Sequence, residues 1–261
     1  MASEQLSQEY KLLFHEIHEL WIQAPPPQKE AIVESSRAAY SNIEAVALMH
    51  GWMNRTLRTG QAALLLSESG YSAEIPPLIR SMLEHAIGLH WVADQRGVAF
   101  QVLLRKRSRD TETLRRAQSE GWKIQGADAD ALMQQAIEIE TDSETIIYDS
   151  FKHVAHQARE TRLGDLYQAW ILETGSSHAT IVSAMPYYTI DVMENIVNLH
   201  LIPLNTGSEV EASVAIASLT AFYGYKKILN FAHLEEKLAK LHMRLEELNL
   251  RLQQENKIVH P

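Results

Sequence analysis

Apolar residues in this chain recur mostly three and four positions apart, the spacing of an amphipathic helix face. Alternating apolar and polar runs, and Asn-Gly or Asp-Gly hairpin signals, are missing, so no strand is predicted. The first helix runs from about Ser7 to Gln23, with Leu12, Leu13, Ile17, Leu20 and Trp21 on one side, and Pro25 to Pro27 stop it. A second helical region, 28–68, is expected to break near Gly51 or Gly60. Pro76 and Pro77 sit in the first turn of a third helix, where their missing N–H groups cost nothing. Further helices are expected over about 98–120 and 128–139. A Thr141/Glu144 capping box opens another, and 163–173 forms one that Gly175 stops. Ser176 or Ser177 is expected to cap a short helix carrying His178. The stretch 189–202 reads as an amphipathic helix, with Asp191, Glu194, Asn195 and Asn198 on one face. Ser208 with Glu211 opens a long last helix reaching about Asn256.

The third helix is apolar nearly all round, which marks a central element. Within LIRSMLEHAIGLHWVAD it nevertheless carries Arg80, Glu84, His85 and His90. Arg80 and Glu84 are four residues apart on one side and suit an ion pair. His90 lies with the apolar residues and reads as a hydrogen-bonded core histidine. Near the C-terminus, Phe231, Leu234, Leu238, Leu241, Leu245, Leu248 and Leu252 alternate spacings of three and four, a heptad seam flanked by charges. Such a seam needs a partner helix. A second copy of the chain is the expected one, making the protein a homo-oligomer.

The fold class is therefore all-α, a multi-helix bundle over 1–207 with a C-terminal coiled-coil helix over 208–261. The net charge of −9 keeps the molecule as a whole off nucleic acid and anionic membranes. Within that acidic background, Arg105, Lys106, Arg107, Arg109, Arg115 and Arg116 form a basic helix that suits RNA or another phosphate-bearing ligand. No cysteine is present, which excludes disulfides, zinc fingers and thiol nucleophiles and fits a cytoplasmic protein. The longest nearly uncharged run, starting at Val214, is too short to span a bilayer, so no membrane role is expected. A signal peptide is not expected from the first twenty residues. His15 with His18, and His153 with His156, are spaced to share a metal, but no third ligand follows. Neither a metal nor a cofactor is expected, and no phosphate loop, nucleophile elbow or kinase signature is present.

Two resemblances bear on function. RSMLEHAIGLHW, led by Pro76-Pro77-Leu78, resembles the central helix of an uncharacterised bacterial all-helical family, a domain of unknown function. Members of that family tend to show an Arg-x-x-x-Glu helix and a later Ser/His segment. Arg80 and Glu84, then Ser177 and His178, hold those positions here. The resemblance implies a helical bundle over about 30–225 and no activity. Apart from the resemblance, His178 follows a helix-start turn and is expected to pair with Glu84 in the bundle interior. Separately, Arg80 and His85 are similar in spacing to the catalytic pair of HEPN ribonucleases, helical dimers that cleave RNA without metal. That resemblance implies His85 as general acid/base and Arg80 as stabiliser of phosphorane charge. Two readings stand: a self-associating helical binding or interaction protein, and a HEPN-like metal-independent ribonuclease.

Overall fold

The structure is a computed structural model. It describes residues 2–24, 42–100, 153–191, 196–204, 209–229 and 234–259, with single positions at 102, 103, 106, 116, 117, 119–121 and 193. Its helices are α1 (Ala2–Gln23), α2 (Asn42–Glu68), α3 (Pro76–Gln95), α4 (Val154–Thr161), α5 (Gly164–Ser177), α6 (Ile181–Ala184), α7 (Val210–Lys226) and α8 (Glu235–Val259). The chain is an all-α multi-helix protein, as its periodicity predicts.

α3 is the hub. It packs against α7, α2, α5 and α4, while α1 lies on α7 and α8 lies on α1. Its buried residues include Ile79, Met82, Leu83, Ala86, Ile87, Leu89, Trp91 and Val92, which cover most of its circumference. One hydrophobic core takes side chains from α1, α2, α3, α7 and α8, so it crosses position 207.

α2 does not break at Gly51 or Gly60. A Cβ at Gly60 would lie 2.9 Å from Phe14 and 3.0 Å from both Met82 and Val214. The residue is small because three neighbouring helices meet there, and the helix runs straight through it. α5 likewise continues past Gly175 to Ser177. The short helix after it is capped by Thr180, not by Ser176 or Ser177. The Thr180 hydroxyl accepts from the Ser183 N–H at 3.3 Å, and Ser183 Oγ accepts from the Thr180 N–H at 3.1 Å. His178 is therefore the residue that ends α5, not one carried on the short helix.

The helix expected over 189–202 is a hairpin. Strands β1 (Tyr188–Asp191) and β2 (Ile196–Leu199) pair antiparallel, with Tyr188 opposite Leu199 and Asp191 opposite Ile196. Thr189, Ile190, Ile196 and Val197 are β-branched and favour a pleated strand over a helix. The Asp191 carboxylate accepts from the Met193 N–H at 2.9 Å, the local bond of a turn-forming Asp.

The single last helix is two, α7 and α8. The leucine seam finds its cover inside the chain. Leu234, Leu238, Leu241, Leu245 and Leu248 are buried, and Leu252 packs half-buried on the same core. Polar bonds fix the register: Tyr10 donates to Asn249 Oδ1 at 2.8 Å, and Arg251 forks onto the Glu9 carboxylate at 2.6 and 3.0 Å. The Arg251 guanidinium holds the Glu9 carboxyl below its ordinary range. Heptad spacing states that a partner exists. It does not state which one, and α1 of the same chain takes that place. Phe231, Ser208 and the expected helix at 128–139 lie outside the described residues, as does the helix expected from Thr141 to about Glu160 except for its last part, which is α4.

The tightest crossing tests this packing. A Cβ at Gly224 in α7 would sit 2.7 Å from His90 Cδ2 and 2.9 Å from the His90 backbone nitrogen, which cannot swing away. Gly224→Ala should cost about 1–3 kcal/mol, read as a fall in the urea midpoint at unchanged slope.

Candidate functional site

The polar side chains of α3 divide between two neighbours. Arg80 turns to α5. Its Nε donates to Thr174 Oγ1 at 3.0 Å, and its guanidinium carbon stands 4.8 Å from the centre of the Trp170 ring. Thr174 in turn donates to the Trp170 carbonyl at 2.7 Å, which holds its oxygen toward Arg80. The Trp170 indole N–H is buried without a hydrogen-bond partner. Glu84 reaches Arg80 only at 3.9 Å and is about half exposed. At that distance and exposure the ion pair adds little, whereas stacking a partly desolvated guanidinium on Trp adds about 1 kcal/mol. The i,i+4 pairing read from sequence is thus present, and the stronger anchor is the aromatic one.

His85 turns to α2. Its ring centre lies 5.8 Å from that of Trp52, and its Nδ1 stands 3.5 Å from Ser81 Oγ. Burial pushes its pKa below the ordinary 6.5, against the pull of Glu84. His90 is buried, and its Nε2 lies 2.9 Å from the Thr220 carbonyl of α7. A carbonyl only accepts, so Nε2 carries the proton and donates. This is the core histidine expected from sequence, and burial lowers its pKa too.

Arg80 and His85 therefore do not converge within one chain: one lies against α5, the other against α2. His178 is exposed, and no hydrogen bond or ion pair joins it to Glu84. Of the basic helix, Lys106 and Arg116 are exposed; Arg105, Arg107, Arg109 and Arg115 lie outside the described residues. The His153 and His156 rings stand 6.4 Å apart, and among the described residues no group of three or more His, Asp or Glu side chains gathers as metal ligands.

Sequence reasoning missed a second constellation. His18 and Trp21 of α1, His50 and Asn54 of α2, and Tyr225 of α7 line one pocket of about 290 Å³. Its parts are as much as 207 residues apart along the chain, and the α1–α2–α7 packing brings them together. The available signal was Trp21 and Tyr225, large aromatics that also carry polar atoms.

A family of unknown function, DUF5677, matches residues 46–191, just over half of the chain. The matched span contains α2, α3 with Arg80 and Glu84, and α5 with Ser177 and His178. The chain belongs to this family. No curated protein and no solved structure matches it. Membership in DUF5677 agrees with the resemblance carried by the α3 motif, and none of the comparisons points to HEPN ribonucleases.

Two predictions follow from the site's chemistry. Arg80→Ala should destabilise the fold by about 1–2 kcal/mol, while Glu84→Ala stays within about 0.5 kcal/mol in the same denaturant titration. The buried His90 and half-buried His85 set a pH dependence. Their folded pKa lies below 6.5, so the unfolded chain binds more protons as pH falls through that value, and stability falls with it. The melting temperature should drop between about pH 7 and about pH 5, and should drop less in His85→Gln.

Proposed function

We propose that this DUF5677 protein is a self-associating helical interaction module, and that the segment from α6 through β2 is its association arm. One observation carries the reading: the arm is apolar and uncovered. Ile181, Val182, Met185, Ile190, Val197 and Leu199 are all exposed, with Leu199 at 82 % and Met193 at the hairpin tip at 94 %. Every residue of β2 is exposed. A lone two-stranded hairpin is marginal in water, and contiguous apolar surface of this kind marks an interaction site. The arm is tied to the bundle at its base, where the Tyr187 hydroxyl bonds Glu74 and the His200 N–H donates to the Tyr187 carbonyl at 2.8 Å.

The partner class follows from charge. Between Arg162 and Lys226 the sequence holds no lysine or arginine, while Asp191 and Glu194 lie in the arm. An anionic membrane or nucleic acid would be repelled there. Among the described residues no helix is long and apolar enough to cross a membrane. A second copy fits because β2 is an edge of Ile, Val, Asn and Leu, with no charge and no proline to block pairing. Antiparallel pairing of such an edge with itself obeys a two-fold axis and closes the assembly at two chains.

Sedimentation equilibrium of the wild type and a Val197→Lys/Leu199→Lys variant tests this. Both side chains are exposed in the single chain, so the variant should keep the wild-type helical signal. The wild type should sediment as a dimer, and the variant as a monomer with association weakened at least tenfold. A wild type that stays monomeric up to about 100 μM, or a variant that stays dimeric, overturns the proposal.

A further inference from the structure

The pocket between α1, α2 and α7 is a built site. Trp21, Tyr225 and His50 form its aromatic wall. Trp21 meets Tyr225 edge-on, with centroids 5.0 Å apart at 79°, and meets His50 at 5.2 Å and 38°. Asn54 locks this arrangement. Its side-chain oxygen accepts the Trp21 indole N–H at 3.1 Å, and its amide donates to the His50 carbonyl at 2.9 Å. Both ends of the amide are spent on positioning the wall, so the rings are held before any ligand arrives. Pre-organisation of that kind removes an ordering cost from binding.

The remaining polar atoms meet uncharged neighbours among the described residues. The Tyr225 hydroxyl stands 3.5 Å from His50 Nδ1, and His18 stands 3.5 Å from Gln61. Among the described residues no Asp, Glu, Lys or Arg lines the pocket. A charged ligand would lose its hydration there without a counter-charge. An imidazole with one nitrogen turned toward a tyrosine hydroxyl offers its second nitrogen as donor or acceptor, according to tautomer. The lining thus suits a flat ring system that carries both donors and acceptors on its edge and no net charge. A volume of about 290 Å³ is at the small end for ligand sites and holds one such ring system.

We infer that this pocket binds a neutral planar heteroaromatic group of nucleobase size, packed among the Trp21, Tyr225 and His50 rings and hydrogen-bonded by His50. His50 and Asn54 belong to the span matched by the family, while Trp21 and Tyr225 come from outside it. The site is complete only in the whole chain, and it is separate from both the Arg80 cluster and the exposed arm.

The test is isothermal titration of the full chain with adenosine, cytidine and adenosine monophosphate at neutral pH. At least one nucleoside should bind with a Kd below about 1 mM, and the monophosphate should bind at least fivefold more weakly than adenosine. Two variants check the location. His50→Leu removes the hydrogen-bonding edge, and Ile22→Trp fills the mouth from an exposed lining position, so it does not disturb the core. Each should weaken binding at least tenfold at an unchanged melting temperature for Ile22→Trp. Absence of binding by both nucleosides, tighter binding of the monophosphate, or nucleoside binding unchanged by Ile22→Trp would each overturn the inference.

Discussion

The close approach of α3 and α7 is the constraint on which the rest of the structure depends. α3 is buried around most of its circumference, so every neighbour must reach it without a gap. Gly224 lets the α7 backbone come down onto His90, and Gly60 lets α2 close where Phe14, Met82 and Val214 meet. Once the axes are that near, the His90–Thr220 hydrogen bond spans them, and the polar ring is paid for by a carbonyl of the facing helix. α1 can then lie on α7, and α8 on α1, each burying its own stripe.

This geometry decides which polar groups are free to act. A helix sunk in the core cannot present all its polar residues to one site. Arg80 and His85 are five residues apart and so lie on different sides of α3, against α5 and α2. Any chemistry that needs both at one atom needs a second chain or a rearrangement of the bundle. By contrast, the pocket beside Trp21 is assembled from three helices whose spacing the α3–α7 contact fixes. Its aromatic side chains are packed in the core and still edge a cavity.

Much of the fold was legible because burial writes itself as period. The all-round apolar run of α3 announced a central helix, and the Leu234–Leu252 spacing announced a helix needing a partner. What period omits is identity: the same heptad seam serves an intramolecular α1 or a second chain, and bonds such as Glu9–Arg251, Glu16–Arg244 and Tyr10–Asn249 specify which. Glycine misled in α2 and α5, since its absence of a side chain serves packing at Gly60 as well as chain breaking elsewhere. The 189–202 stretch misled for a different reason. Its polar residues match a helical face, yet Thr189, Ile190, Ile196 and Val197 favour strand, and no core contact was there to enforce helix. The candidate site was half legible. Arg80 with Glu84 is local and visible in sequence, while Trp170 and Thr174 lie some ninety residues away and leave no spacing to read.

That difference between core and arm is itself informative. In the bundle most apolar side chains are covered: Leu234, Leu238, Leu241, Leu245 and Leu248, with Tyr10, Phe14, Trp21, Phe222 and Tyr225, are buried within the chain. From α6 through β2 they have not. Keeping Ile190, Val197 and Leu199 in water costs about 1 kcal/mol or more each relative to burial, and a chain with the core capacity of this one had helix surfaces on which to fold them. A strand pair whose two faces are both exposed gains nothing for the monomer. Its stability makes physical sense when the cover comes from outside the chain, and an edge without charge is the geometry that an identical edge can meet.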